Sequence, residues 1–144
     1  MKKTFTTFAC LFILAAACFA NMPNEKVLKT FQATFLAPRE VKWYDHTDYY
    51  EVNFIQGDIH SNVKYDLDGN FICSTRYYKE QQLPTNILCK LKKKYPGKNI
   101  FGVTEITSSE QVSYYVKLED GKNWITVKVS GNGQMELFEK FRKA

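Results

Sequence analysis

Histidine, cysteine and long apolar runs are all scarce in this chain, and each scarcity closes a class of chemistry. The two histidines, His46 and His60, stand 14 positions apart. A zinc site needs three or four convergent ligands, and no histidine pair has helical or short-loop spacing, so both read as loop or surface residues. No Gly-x-Ser-x-Gly is present, and a cysteine nucleophile would require Cys73 or Cys89 to meet His46 or His60. Apolar residues run together only at the N-terminus, so no second stretch approaches the roughly 20 residues of a spanning helix. The sequence carries no constellation for an enzyme, no cofactor motif and no transmembrane segment.

What is present begins with MKKTFTTFACLFILAAACFA. Lys2 and Lys3, an apolar core from Cys10 to Phe19 and the small Ala20 read as a secretory signal peptide over residues 1–20. A second assignment takes Ala15 to Cys18 as a lipobox, which would acylate Cys18 and make the protein a membrane-anchored lipoprotein, although such a box prefers leucine where Ala15 stands. Either way the protein leaves the cytoplasm, to be periplasmic or secreted. Removing Lys2 and Lys3 leaves 18 basic residues against 15 acidic, net +3, which favours solubility more than it selects a partner. Lys90, Lys92, Lys93, Lys94 and Lys98 read as a solvated helix face, and export removes nucleic acid as their partner.

The remaining 124 residues contain one pattern twice. With an offset of 64, Tyr50 meets Tyr114, Val52 meets Val116, Phe54 meets Leu118, Gly57 meets Gly121, Val63 meets Val127 and Gly69 meets Gly133. Ahead of each block lies a helical stripe, Val27, Leu28, Phe31 and Phe35 in the first copy and Ile87, Leu88, Leu91 and Tyr95 in the second. Pro84 suits a first helical turn, and Pro38 and Pro96-Gly97 are stop signals. The strands alternate with period two, as in an antiparallel sheet with one buried face. The expected fold is α+β: two tandem helix-plus-antiparallel-sheet repeats, 21–80 and 81–144, joined at Lys79 to Gln82, each too small to be stable alone. Both helices are expected on one face of a shared antiparallel sheet, over one common core.

Val41-Lys42-Trp43, Tyr50 to Phe54, Tyr65 to Gly69, Leu83-Pro84 and Tyr114 to Leu118 together resemble a family of secreted bacterial proteins described as PepSY-like, or beta-lactamase-inhibitor-like. The resemblance implies a fold like that of beta-lactamase inhibitory protein, with tandem repeats joined in one curved sheet and one face left open. It also implies binding, and inhibition by analogy, since members of the wider PepSY group occur in protease propeptides. Fold alone does not fix function.

Three candidate sites follow. Asp66-Leu67-Asp68-Gly69 could suggest calcium, but placing Gly69 at position six of an EF-hand puts Lys64 at one and Thr75 at twelve, and neither can ligate. The second copy, Ser130-Gly131-Asn132-Gly133, keeps the turn and lacks the carboxylates, so a hairpin turn is expected in both and no metal in either. Cys73 aligns with Leu137 and is expected to point inward, while Cys89 aligns with Lys29 on the outer helix face, so a disulfide between them is not expected. Finally, parity places Tyr49, Glu51, Asn53, Ile55, Tyr115, Lys117, Trp124, Thr126 and Lys128 on the face away from the helices. Aromatics mixed with charge suit protein recognition, and Tyr49, Glu51, Asn53, Tyr115, Lys117, Trp124 and Lys128 are the expected contacts, with Trp124 and Tyr115 near the centre. The expected function is a non-enzymatic module that binds an unidentified envelope or secreted protein. The alternative is a small-ligand-binding or envelope-stress sensing module.

Overall fold

Helix α1, Glu25–Thr34, starts where the sequence supplies a cap: the Asn24 side chain accepts a hydrogen bond from the Val27 amide at 3.1 Å. The computed structural model describes residues 22–144; residues 1–20, on which the signal-peptide and lipobox expectations fall, with Cys10 and Cys18, lie outside them. Four strands follow α1, namely β1 Arg39–Asp45, β2 Tyr49–Gln56, β3 Ile59–Asp66 and β4 Phe71–Tyr78. A 3-10 turn at Glu80–Gln82 leads to α2, Thr85–Lys94, which Pro84 precedes as the cap residue. Then come β5 Asn99–Ser108, β6 Val112–Glu119, β7 Asn123–Ser130 and β8 Met135–Arg142. All eight strands pair antiparallel with their sequence neighbours in one open sheet ordered β1 to β8. The architecture is α+β. β3 and β7, like β4 and β8, begin and end 64 residues apart, and the helices 60 apart.

Both helices lie on the same face. Val27 and Phe31 of α1 are buried with Val52, Phe54, Val63 and Tyr65, and Ile87 and Leu91 of α2 with Val103, Tyr114, Val116, Leu118, Ile125, Val127 and Val129. The expected common core is in fact two clusters. The central strands separate them, because β3, β4 and β5 turn polar residues toward the helices: Ser61 pairs with Arg76, Ser74 with Thr107, and Arg76 with Glu105. The Arg76 guanidinium lies 3.1 Å from Glu105, whose other oxygen accepts a 2.6 Å hydrogen bond from the Tyr78 hydroxyl.

The sheet's bulges decide which side chains reach which face. In the first half the register shifts between Lys64 and Tyr65, leaving Ile72 as the extra residue and pairing Cys73 with Lys64. In the second half the shift falls between Thr126 and Val127, leaving Phe138 as the extra residue. A bulge moves every side chain beyond it to the other face. Cys73 therefore lies half-buried on the face away from the helices, against the inward position its alignment with Leu137 suggested. Leu137, paired with Val127, is on the helix side but 59 % exposed at the sheet edge. Cys73 and Cys89 are both free thiols, and Cys89 is exposed on α2.

The turn between β3 and β4 anchors α1. Asn24 Nδ2 donates to the Leu67 carbonyl at 2.7 Å, and Lys26 pairs with Asp68 at 2.7 Å. Gly69, at φ +86°, is pressed against the helix: a Cβ there would come within 3.1 Å of the Lys26 backbone. Its counterpart Gly133 has the same φ but faces only the flexible end of Lys90. Gly69→Ala is therefore expected to cost about 2–3 kcal/mol, against about 1 kcal/mol for Gly133→Ala. Chemical denaturation of the two variants checks this, and equal losses would contradict it.

Candidate protein-binding face

The uncovered side of the sheet is built by the residues that alternate with the core. Its longest row crosses all eight strands through the pairs Arg39–Ile55, Ile55–His60, His60–Tyr77, Tyr77–Thr104, Thr104–Tyr115, Tyr115–Lys128 and Lys128–Glu136. The seven expected contact residues all lie on this side, in two separate groups. Tyr49, Glu51 and Asn53 are on β2, while Tyr115, Lys117, Trp124 and Lys128 are on β6 and β7. Four strand spacings separate β2 from β6, about 19 Å.

The β2 group is occupied with its own neighbours. Asn62 Nδ2 on β3 donates to Glu51 and to Asn53, each at 2.6 Å. Lys64 lies 3.6 Å from Glu51 and over the Tyr49 ring, and His46 stacks on Tyr49 at 4.3 Å. The second group is aromatic and basic. Trp124 packs edge-on against Phe101 at 5.0 Å, with the ammonium groups of Lys117 and Lys143 at 4.8 and 4.4 Å from its ring. Tyr115 packs edge-on against Phe138 at 5.1 Å, with Lys128 at 6.0 Å. Lysines held over aromatic rings are attracted by the ring quadrupole. They arrive partly ordered, which lowers the entropic cost of a contact.

The middle of the face belongs to Tyr77. With the strands in sequence order the centre falls at β4 and β5, so Trp124 on β7 and Tyr115 on β6 are displaced toward one edge instead of central as expected. Tyr77 is 52 % exposed and stands beside His60 as a ridge between two surface grooves. One, of about 470 Å³, runs toward β1 past Asn53, Ile55 and Tyr44. The other, of about 540 Å³, runs toward β6 past Phe101, Gly102 and Lys117. Tyr77, Phe101, Phe138 and Phe141 are surface contributors that the alternation of the strongest strands did not single out. Phe101 could have been found from its place just before Gly102, since a glycine inside a strand signals a bulge.

The other candidate centres are placed as follows. Cys73 and His60 lie on this face, but four strand positions separate Tyr77, the partner of His60, from Cys73. That is about 13 Å of rise, beyond proton-transfer reach. In the Asp66 loop the carboxylate oxygens are engaged by the turn: Oδ1 accepts from the Asp68 and Asn70 amides and Oδ2 from the Asn70 side chain, all at 2.9 Å. Asp68 is paired with Lys26. These hydrogen bonds from Asn70 hold the Asp66 carboxyl below its ordinary range. Asp120, in the turn between β6 and β7, is held well below its own by Lys98 and by the Lys122 and Asn123 amides.

A carboxyl depressed in the folded state contributes stability above its unfolded pKa, about 4, and loses it as pH falls through the folded value. The melting temperature is accordingly expected to drop steeply between pH 4 and pH 2. Asp66→Asn with Asp120→Asn should flatten that drop; a melting curve as steep as that of the parent would refute the assignment.

Solved structures share this arrangement. A BLIP-like protein from Bacteroides fragilis matches with a TM-score of 0.59 at 16 % identity, over 84 % of this chain and 86 % of that one. The fold is BLIP-like. A DUF2874 family protein from Bacteroides uniformis matches the same fold with a TM-score of 0.58 at 13 % identity, over 84 % and 90 % of the two chains. A protein from Bacteroides eggerthii described as periplasmic gives 0.58 at 11 % identity, over 85 % and 90 %. No protein-family model and no curated protein matches the sequence. Among the described residues of this BLIP-like fold, no helix is long and apolar enough to cross a membrane.

Proposed function

We propose that the protein is a non-enzymatic binding module of the periplasm or extracellular space, which docks a protein of the envelope or exterior on its uncovered sheet face. The observation that carries this is the lysine-backed aromatic array of Phe101, Tyr115, Trp124 and Phe138 beside the exposed Tyr77 ridge. Aromatic side chains give large contact area at low entropic cost. Occlusion of an enzyme by this face is the mode of action that the BLIP-like fold favours. Its place outside the cytoplasm is supported by the signal pattern in residues 1–20 and by the periplasmic description of one structural neighbour. The matching element lengths and offsets of the two halves support an origin as two repeats, 21–80 and 81–144. The small-ligand alternative has less support, because the grooves are open depressions on the sheet surface.

Affinity capture from envelope extract should retain a defined protein, and Tyr115→Ala with Trp124→Ala should reduce its recovery at least tenfold. Two truncated interface aromatics cost about 2 kcal/mol or more, and 1.4 kcal/mol is already tenfold. Unchanged recovery would remove the face from the mechanism.

A further inference from the structure

The groove between Tyr77 and Phe101 has a chemistry of its own. Its floor is Gly102 and Thr104 on β5, its walls are Tyr77 and Phe101, and its rim carries Lys79 and Lys117. Gly102 brings bare backbone to the surface beneath it, the situation in which strand glycines admit another group closely. The rim lysines, like Lys42 at the β1 edge, differ from three other lysines on this side of the sheet. Lys64 is paired with Glu51, Lys128 with Glu136 and Lys143 with Glu119. Among the described residues, neither Lys79 nor Lys117 has a carboxylate within 4 Å. Lys79 is held in place by the Phe101 carbonyl at 2.9 Å and by the Phe101 ring at 4.8 Å, while Lys117 is shared between Phe101 and Trp124. Two positioned and uncompensated ammonium groups thus flank an apolar trough. Asp58, in the β2–β3 turn two residues before His60, is the acidic lining residue of the groove, and its carboxylate forms no ion pair with either lysine.

We propose that this groove takes an acidic segment of the partner protein, in which an apolar side chain seats between Tyr77 and Phe101 and flanking carboxylates meet Lys79 and Lys117. The inference rests on the docking reading of the open face and adds the chemistry of what docks there. Charge complementarity of this kind sets specificity and encounter rate more than total affinity, so discrimination is the quantity to measure.

The probes are two peptides, acetyl-Glu-Leu-Glu-amide and acetyl-Gln-Leu-Gln-amide, titrated into the isotopically labelled protein and followed by amide chemical shifts. The acidic peptide should shift the Tyr77, Phe101 and Gly102 amides and bind about five- to tenfold more tightly than its neutral counterpart, the range two exposed ion pairs supply. Lys79→Gln with Lys117→Gln should abolish that preference, and Lys117→Gln alone should reduce it if the double variant misfolds. Lys90→Gln with Lys93→Gln on α2 should leave it intact. Equal affinity for the two peptides, or shifts centred on α2, would overturn the proposal. Tighter binding of a sulfated disaccharide to the same amides would overturn it in favour of an anionic glycan. If the peptides are refused while Tyr115 and Trp124 still control capture of the partner, the docking face stands and the acidic specificity falls.

Discussion

Phe31→Ala is expected to lower folding stability by about 3–5 kcal/mol, the range for emptying a phenylalanine site that cannot collapse. Phe31 is 4 % exposed and touches three other rings, with Phe35 at 5.3 Å and Trp43 and Phe54 at 5.2 Å each. Domains of this size are stable by about 5–15 kcal/mol in total, so one truncation removes a large share. The loss should also be local. The first core cluster meets the second only through the strands and the polar seam of Ser61, Ser74, Arg76 and Glu105. The two tryptophans report on different halves: Trp43 packs on Phe31 of the first cluster, and Trp124 packs on Phe101 on the open face of the second half. In single-tryptophan versions carrying Phe31→Ala, the Trp43 transition should precede the Trp124 transition in denaturant. Coincident transitions, shifted together, would show that the halves unfold as one cooperative unit.

Glu105→Ala is the second large effect, about 2–3 kcal/mol. The Glu105 side chain is 12 % exposed and serves three donors, the Arg76 guanidinium, the Tyr78 hydroxyl and, at 3.5 Å, the Thr107 hydroxyl. Burial, and then the bond to Glu105, hold the Tyr78 phenol well above its ordinary range. Removing the carboxylate strands a buried hydroxyl and a half-exposed guanidinium, and an unsatisfied buried donor costs more than its hydrogen bond contributed. Glu105→Gln retains an acceptor and should cost only about 1 kcal/mol. In a double-mutant cycle with Tyr78→Phe the two losses should fall short of additive by about 1 kcal/mol or more; simple additivity would mean that the contact does not stabilise the fold.

The parts of this fold that the sequence reveals are those with a regular period. Val27 and Phe31, like Ile87 and Leu91, are spaced to share a helix face. The alternation of Val52 and Phe54, or of Ile125, Val127 and Val129, leaves only one side for Glu51, Asn53, Trp124 and Lys128. Bulges interrupt that inference. Ile72 in one half and Phe138 in the other are each a single extra residue, with no compositional mark, yet they decide that Cys73 and Leu137 face opposite ways despite aligned positions. Polar residues inside a core pattern are equally silent. Ser74, Arg76 and Glu105 look like ordinary solvent-facing strand residues until the register sets them side by side beneath the helices. The same register explains why Trp124 is off-centre. A meander of eight strands in sequence order puts its middle at the junction of the halves, where Tyr77 and Phe101 stand, and away from the strands whose alternation is clearest.

In the proposed function, partners meet the face away from the helices. Site-resolved photo-crosslinking tests it most directly, with a benzophenone amino acid at Tyr77 on the ridge or at Lys93 on the exposed side of α2. The probe at position 77 should give a discrete protein adduct in envelope preparations that disappears when Tyr115→Ala and Trp124→Ala are added, and the probe at position 93 should not. An adduct formed only from position 93, or one at 77 unaffected by those substitutions, would contradict the account.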